Sequence, residues 1–459
     1  MLFHTPVFLG FFAAYLVAHF VAPPQWRIGL IVVGSTVFYG YWNPAYVWVP
    51  YVLMAVAFAG AIAVVETNSL RRRRFTLGAT VACLLAPLVF FKYTDFLAAS
   101  FAAALGLGPA RVLDLGLPLG ISFVTFTSIA YVVDVFRGRF EIVREPGRLA
   151  AYILFFPHLI AGPILRPHEL IPQIDRLRAL LDARFRLGTA IVLVGLTKKL
   201  LFADSIAPFV DRAYAGGAAL NAVDYATAFY GFSVQIYCDF SGYTDMAVGL
   251  AMILKIRLPT NFRRPYSAAS VADFWRRWHI TLSSWLRDYL YIPLGGSRRS
   301  HSRRVFNVLV TMGLGGLWHG ASWTFVVWGL VHGAGIAVAQ ALRGRTTALP
   351  RWAAVLLTFH FVTFAWVLFR APDLATAWRV ASGPFSAPVP DLGGALTGNL
   401  EPLLLMAAFL ATHRYDSHAR LALLVRQVPF SVIWPAAAVA VVYLLVASGA
   451  SEQFIYFEF

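Results

Sequence analysis

The stretch LGGLWHGASWTFVVWGLVHGAGIAVAQAL, Leu314 to Leu342, decides how this chain is read. Its first ten residues set one histidine, His319, among small residues and two tryptophans, Trp318 and Trp323. From Thr324 to Leu342 the sequence stays apolar, long enough for a membrane helix, so His319 is expected at membrane depth. An ionisable side chain there is costly and rarely accidental. Imidazole also takes up and releases protons near neutral pH. Two readings are open: His319 is the reactive residue, or it ties two membrane helices together by a hydrogen bond.

The rest of the chain fits a membrane setting. Of its 459 residues, 59% are hydrophobic and only 13% charged, and the mean hydropathy is +0.68. These values predict a polytopic, all-α membrane protein. Leu2 to Ala22 lacks a basic leader region and is expected to be the first membrane helix. Cys83 and Cys238 both lie in apolar runs and imply neither a disulfide framework nor a metal site. The net charge of +16 does not point to nucleic acid. The basic residues fall in clusters between apolar spans, at Arg71–Arg74, Arg137–Arg148, Arg176–Arg186, Arg257–Arg277, Arg298–Arg304 and Arg343–Arg351. Such clusters orient membrane helices and suit anionic lipid head groups.

Apolar spans are expected near 2–22, 28–42, 44–65, 75–97, 117–136, 149–165, 187–210, 223–254, 305–318, 322–342, 352–370, 401–412 and 431–448. The 223–254 run is expected to break around Asp239 to Asp245. The 149–165 segment carries Pro157, Gly162 and Pro163 and has basic clusters on both flanks, which predicts a re-entrant hairpin. Gly383 to Gly398 reads as an exposed loop. No repeat and no soluble domain stands out, so residues 1–459 are expected to form one membrane-embedded domain.

Ser270 to Leu290 is too polar to span. Ser270 and Asp273 resemble a capping box. One helical face would carry Trp275, Trp278, Leu282, Trp285, Leu286, Tyr289 and Leu290; the other would carry Arg276, Arg277, Ser284, Arg287 and Asp288. That pattern predicts an amphipathic helix at the membrane interface. His279 falls within the apolar face and is expected to point inward.

Two inward histidines suit general base catalysis. The sequence has no G-x-S-x-G elbow, H-E-x-x-H, C-x-x-C or Walker loop, which disfavours hydrolases, metalloproteases and ATP-driven pumps. A base that activates an acceptor hydroxyl needs no protein nucleophile. Asp239 and Asp245 lie inside an apolar helix and must be paired or face a cavity. Asn261, Arg263 and Arg264, in NFRRPY, offer an amide and two guanidinium groups, suited to a phosphorylated donor or to lipid head groups. The glycines of YIPLGG, 291–296, let backbone approach a substrate or simply form a turn.

Seven stretches together resemble the membrane-bound O-acyltransferase family. They are LPLGISFVTF at 117–126, FPHLIAGPILRP at 156–167, YCDFSGYTDM at 237–246, NFRRPY at 261–266, FWRRWHITLSSWLRDYLYIPLGG at 274–296, LGGLWHGASW at 314–323 and FIYFEF at 454–459. The resemblance is to the bacterial branch that contains alginate O-acetyltransferases and D-alanyl transfer proteins. It implies a ring of about 11–13 membrane helices around a thin central region, with His319 the catalytic histidine and His279 its second. It also implies transfer of an acyl group, acetyl first, from a cytosolic thioester to an exported polysaccharide such as alginate. The donor would be acetyl-CoA, another coenzyme A ester or an acyl-carrier protein, with no permanently bound cofactor and no metal. An exported SGNH-type acyltransferase would be the partner, and the bacterial inner membrane the location. Trp318, Trp323 and Asn261 are candidate donors to the oxyanion, and Arg263, Arg264 and Asp239 candidate contacts to the donor. The alternatives are D-alanyl transfer to teichoic acid, a proton-coupled transporter, and a non-catalytic scaffold of a polymer-modifying complex.

Overall fold

Inside a bilayer only a helix satisfies every backbone group within one segment, and helices dominate here. The computed structural model describes residues 1–108, 113, 115–174, 183–216, 220–342, 349–447 and 455, and contains no strand among them. The chain packs as two compact units. The first gathers Met1–Val192, Met246–Pro259 and Pro429–Ser448; the second gathers Leu193–Asp245, Thr260–Val428 and Gly449–Phe459. Cys83 and Cys238 are both free thiols.

Among the described residues, four helical stretches are long and apolar enough to cross a membrane: Pro44–Glu66, Leu70–Ala104, Trp323–Ala341 and Arg351–Arg370. A fifth joins them if Leu392–Gly398 and Leu400–His413, bent by 64°, count as one span. Pro6–Val21 and Ile121–Phe136 are shorter apolar helices. The apolar runs elsewhere are divided among shorter or more polar helices, such as Arg27–Gly40 and His301–His319. Gly383–Gly398 is mostly helical, within Leu374–Ser386 and Leu392–Gly398, and not an open loop. Aspartates cap both helices: Asp373 accepts from the Thr376 N–H and Asp391 from the Gly394 N–H. Side-chain caps of this kind start helices where apolar periodicity is weak. The cluster Arg176–Arg186 lies partly, Arg343–Arg351 largely, and the terminal FIYFEF, apart from Ile455, wholly outside the described residues.

In the first unit the 149–165 segment does not run as one helix. Pro146–Leu154 ends at Phe155, where ψ opens to 107°, and a single turn, Phe156–Leu159, follows. The Tyr152 hydroxyl donates to the Leu165 carbonyl over 2.8 Å, so the two ends of the segment lie together. Ser35 Oγ accepts the Phe156 N–H that the break exposes, at 3.1 Å. Backbone without helical partners tolerates burial only when protein supplies such bonds.

The helix Ala222–Ile253 runs 32 residues without a break. The expected interruption at Asp239–Asp245 does not occur, because both aspartates are neutralised in place. Lys199 Nζ lies 2.9 Å from Asp239 and 2.8 Å from Asp204. Lys198 Nζ lies 2.7 Å from both Asp245 and Asp416, and His418 Nε2 is 2.7 Å from Asp245. The two lysines open a π-helical turn, Lys198–Ala203. The same helix also packs closely. A Cβ on Gly249 would come within 2.6 Å of the Gly188 carbonyl, and one on Gly242 within 2.7 Å of the Gly195 carbonyl. Small residues at such crossings let membrane helices approach to backbone contact.

In the second unit, His301–His319 and Trp323–Ala341 form a tight hairpin. A Cβ on Gly316 would collide with the Phe325 carbonyl, and one on Gly329 with the Met312 carbonyl. The Ser322 side chain accepts from the Thr324 N–H at 3.2 Å and starts the returning helix. His319 is the last helical residue before this turn, and Gly320 caps it.

Candidate active site

The hairpin turn buries His319 and surrounds it with rings. Its imidazole centroid lies 4.9 Å from Trp318, 5.2 Å from Trp328 and 5.3 Å from Phe369, each at a steep angle. Edge-to-face packing of this kind is favoured by ring quadrupoles. The His279 ring is 6.4 Å away, centroid to centroid. Both predicted histidines therefore share one buried pocket of aromatic side chains.

His279 reaches that place by a route the helical wheel does not contain. The expected helix from Ser270 to Leu290 is two short helices, Val271–Trp275 and Ile280–Leu286, followed by a π turn, Arg287–Tyr291. His279 sits at the break, in the left-handed region with φ 41° and ψ 55°. For a non-glycine residue that conformation costs about 1–2 kcal/mol. Two backbone bonds hold it: Arg263 N donates to Arg277 O at 2.8 Å, and Ile280 N to Asn261 O at 2.9 Å. The expected cap is present, with Asp273 N donating to Ser270 Oγ at 3.1 Å. Trp275, Trp278, Leu282, Trp285 and Leu286 are buried as the pattern required. Asp288, expected outward, is also buried and lies 2.7 Å from the Arg287 guanidinium.

Asn261 fixes the chemistry of His279. Its Oδ1 accepts from Thr281 N at 3.2 Å and Thr281 Oγ1 at 2.9 Å. A backbone N–H can only donate, so the atom facing it is the amide oxygen. His279 Nδ1 lies 3.2 Å from that same oxygen and must therefore carry the proton. Its Nε2 is left with the lone pair and has no hydrogen-bond partner among the described residues. His279 lies outside the spanning helices, and burial pushes its pKa down to about 3. The ring is neutral and presents a lone-pair nitrogen, a hydrogen-bond acceptor. In this tautomer Nε2 accepts a proton; it donates one only after first taking it up. Asn261 Nδ2, buried and likewise without a partner, is an available donor.

The other expected residues divide. Trp318 is buried beside both histidines, 6.1 Å from His279. Trp323 is 59% exposed. The turn reverses the chain there, and Trp328, farther along the returning helix, packs on His319 in its stead. Asp239 is paired within the protein: its carboxylate faces Lys199 and accepts the Ile455 N–H at 2.8 Å. Arg263 is exposed, and Arg264 is half-buried with its guanidinium donating to the Arg414 carbonyl at 3.2 Å. A cavity of about 190 Å³ is lined by Trp275, Leu286, Arg287, Thr311, Met312 and Gln340 among others; His279, His319, Arg263 and Arg264 do not line it. His332, fully buried near Trp275 and Trp328, was not singled out from the sequence. Its signal is the four-residue spacing from Trp328, which places both rings on one helical face.

Residues 145–372 match the model of MBOAT, the membrane-bound O-acyltransferase family. The chain is 38% identical to a probable alginate O-acetylase of Azotobacter vinelandii, over 90% of this chain and 85% of that protein. It is 36% identical to a peptidoglycan O-acetyltransferase of Helicobacter pylori, over 83% of this chain and 79% of that protein. A teichoic acid D-alanyltransferase of Bacillus subtilis is more distant, 28% identical over 55% of this chain and 68% of its own length.

Proposed function

We propose, since the chain belongs to the membrane-bound O-acyltransferase family, that its His319–His279 pair promotes transfer of acetyl from a cytosolic thioester toward an exported polysaccharide. The chain is a multi-pass membrane acyltransferase. The observation that carries the reading is the meeting of two buried imidazoles, one of which presents a lone-pair nitrogen with no hydrogen-bond partner among the described residues.

The chemistry follows from that geometry. His319 takes the proton of the attacking hydroxyl as its oxygen bonds to the thioester carbonyl carbon. The carbon–sulfur bond then breaks, and the imidazolium returns the proton to the leaving thiolate. The products are an ester and a free thiol. His279 Nε2 orients the hydroxyl by accepting its hydrogen bond, while Asn261 Nδ2 and Trp318 offer donors for the tetrahedral oxyanion. A general base contributes about 10²–10⁴ in rate, and each oxyanion donor about 10²–10³. Alginate is the acceptor class favoured by the 38% identity to an alginate O-acetylase; the lower 28% identity to a D-alanyltransferase makes D-alanyl transfer the weaker reading. The donor is acetyl-CoA or an acyl-carrier thioester, the setting is the bacterial inner membrane, and an exported SGNH-type acyltransferase completes delivery. Arg263 and Arg264 would meet the donor's phosphates at the cytosolic face.

The experiment is acetyl transfer in inside-out membrane vesicles supplied with labelled acetyl-CoA or with labelled acetyl-carrier protein. Label appearing in polysaccharide within the lumen supports the reading and identifies the donor. Label appearing only with a D-alanyl carrier would replace it with the alternative.

A further inference from the structure

The geometry points to His332 as a positioning residue that sets the His319 ring by anchoring Trp275 and, with it, Trp328, the tryptophan that packs on His319; this rests on the reading of His319 as the base. His332 is completely buried in the helix Trp323–Ala341. Its Nδ1 accepts the indole N–H of Trp275 at 3.2 Å. Nδ1 therefore bears the lone pair, and the proton sits on Nε2. His332, Trp275 and Trp328 pack as three mutually tilted rings: His332 to Trp275 is 5.2 Å, His332 to Trp328 is 4.9 Å, and Trp275 to Trp328 is 5.7 Å. Trp328 then meets His319 at 5.2 Å and 87°.

The arrangement makes a relay of contacts. The hydrogen bond ties the broken segment that carries His279 to the helix that carries Trp328. Trp275 lies four residues before His279, and Trp328 is the ring against His319. One polar bond thus fixes the segment that carries His279 against the helix whose Trp328 packs on His319. Apolar packing alone is non-directional, whereas this bond has one acceptor and one donor in fixed orientation. A histidine needed only to fill space would not require the nitrogen that faces Trp275.

The test separates the bond from the bulk. His332→Phe keeps the ring and removes the acceptor. His332→Asn places an amide oxygen close to the position of Nδ1. Trp275→Phe removes the donor. Each variant is assayed in membrane vesicles for kcat and KM with acetyl-CoA, at matched protein level, and the indole N–H environment is read by ultraviolet resonance Raman. Loss of one neutral hydrogen bond predicts a kcat reduced about five- to tenfold for His332→Phe and for Trp275→Phe. KM should stay within about twofold, because substrate binding is not the step altered. His332→Asn should recover most of the rate, and the double variant Trp275→Phe, His332→Phe should be no slower than either single one. The Raman signature of a bonded indole should weaken in His332→Phe and return in His332→Asn. Multiplying losses in the double variant, an asparagine as slow as the phenylalanine, or an unchanged kcat in His332→Phe would each overturn the assignment. The base reading fails separately, by full transfer in His319→Gln.

Discussion

The Oδ1 atom of Asn261 lies 3.2 Å from the Nδ1 atom of His279 while also accepting two bonds from Thr281. One amide oxygen thereby selects the tautomer of a buried histidine. The selection gives the first prediction. Asn261→Ala leaves three donors without their acceptor, at a cost of about 1–3 kcal/mol for each buried group left unsatisfied. Thermal unfolding should shift downward and transfer should fall. Asn261→Asp keeps the acceptor and should preserve more stability than alanine. Equal stability of Asn261→Ala and wild type in detergent melts would show that the oxygen fixes nothing.

His319 is tested by the pair glutamine and alanine. Glutamine retains bulk and hydrogen bonding but cannot act as a base near neutral pH. Both variants should lose transfer by about 10²–10⁴, with protein abundance unchanged for glutamine. Polysaccharide acetylation in cells, normalised to protein level, decides the matter. Normal acetylation by His319→Gln would assign the residue to helix tethering.

Gly316 and Gly329 test the hairpin that presents His319. A methyl group at either position meets a backbone carbonyl, Phe325 or Met312, and backbone does not yield as a flexible side chain does. Gly316→Ala should destabilise the second unit by about 1–3 kcal/mol. The drop should appear as a lower melting midpoint and a smaller folded yield. Gly10, with nothing near its Cβ position, is the control and should accept alanine without loss.

His418 makes stability depend on pH. Burial opposes its charge, as does Lys198, but the Asp245 carboxylate at 2.7 Å, with Asp416 beside it, raises the imidazole pKa above its ordinary value. A group raised in the folded state contributes stability that is complete below the unfolded pKa, about 6.5, and is lost as pH climbs through the folded one. Melting midpoints should therefore fall as pH rises above about 6.5. His418→Gln should flatten that slope. An equally steep slope in the variant would place the titration elsewhere.

Much of the site could be read from the chain because cost is visible in sequence. His319 stands out as an ionisable residue in apolar text, and the tryptophan pattern around His279 indicates which way it faces. Its left-handed break is not visible, since the apolar residues on either side keep helical spacing while Asn261, eighteen residues earlier, supplies the bonds that make the break possible. Trp328 and Trp323 are equally apolar, and only the turn at Gly320–Ser322 determines which one meets His319. The partners of Asp245 lie 47 and 173 residues away, beyond any local pattern. Hydropathy does not show where an apolar run is divided among short helices, as at Phe155.

The paired lysines also bear on how such a chain enters a bilayer. A ribosome delivers Lys198 and Lys199 before Asp239 and Asp245, and each lysine lies opposite one of those aspartates. The helix that would be hardest to insert alone thus arrives when its counterions are already at the translocon. Asp416 and His418 come more than 150 residues later. Early membrane integration can proceed with Asp204 and Asp239 on Lys199 and Asp245 on Lys198, and the Asp416 carboxylate and His418 imidazole lock the cluster only when synthesis is nearly finished. The order of residues along the chain doubles as an order of assembly.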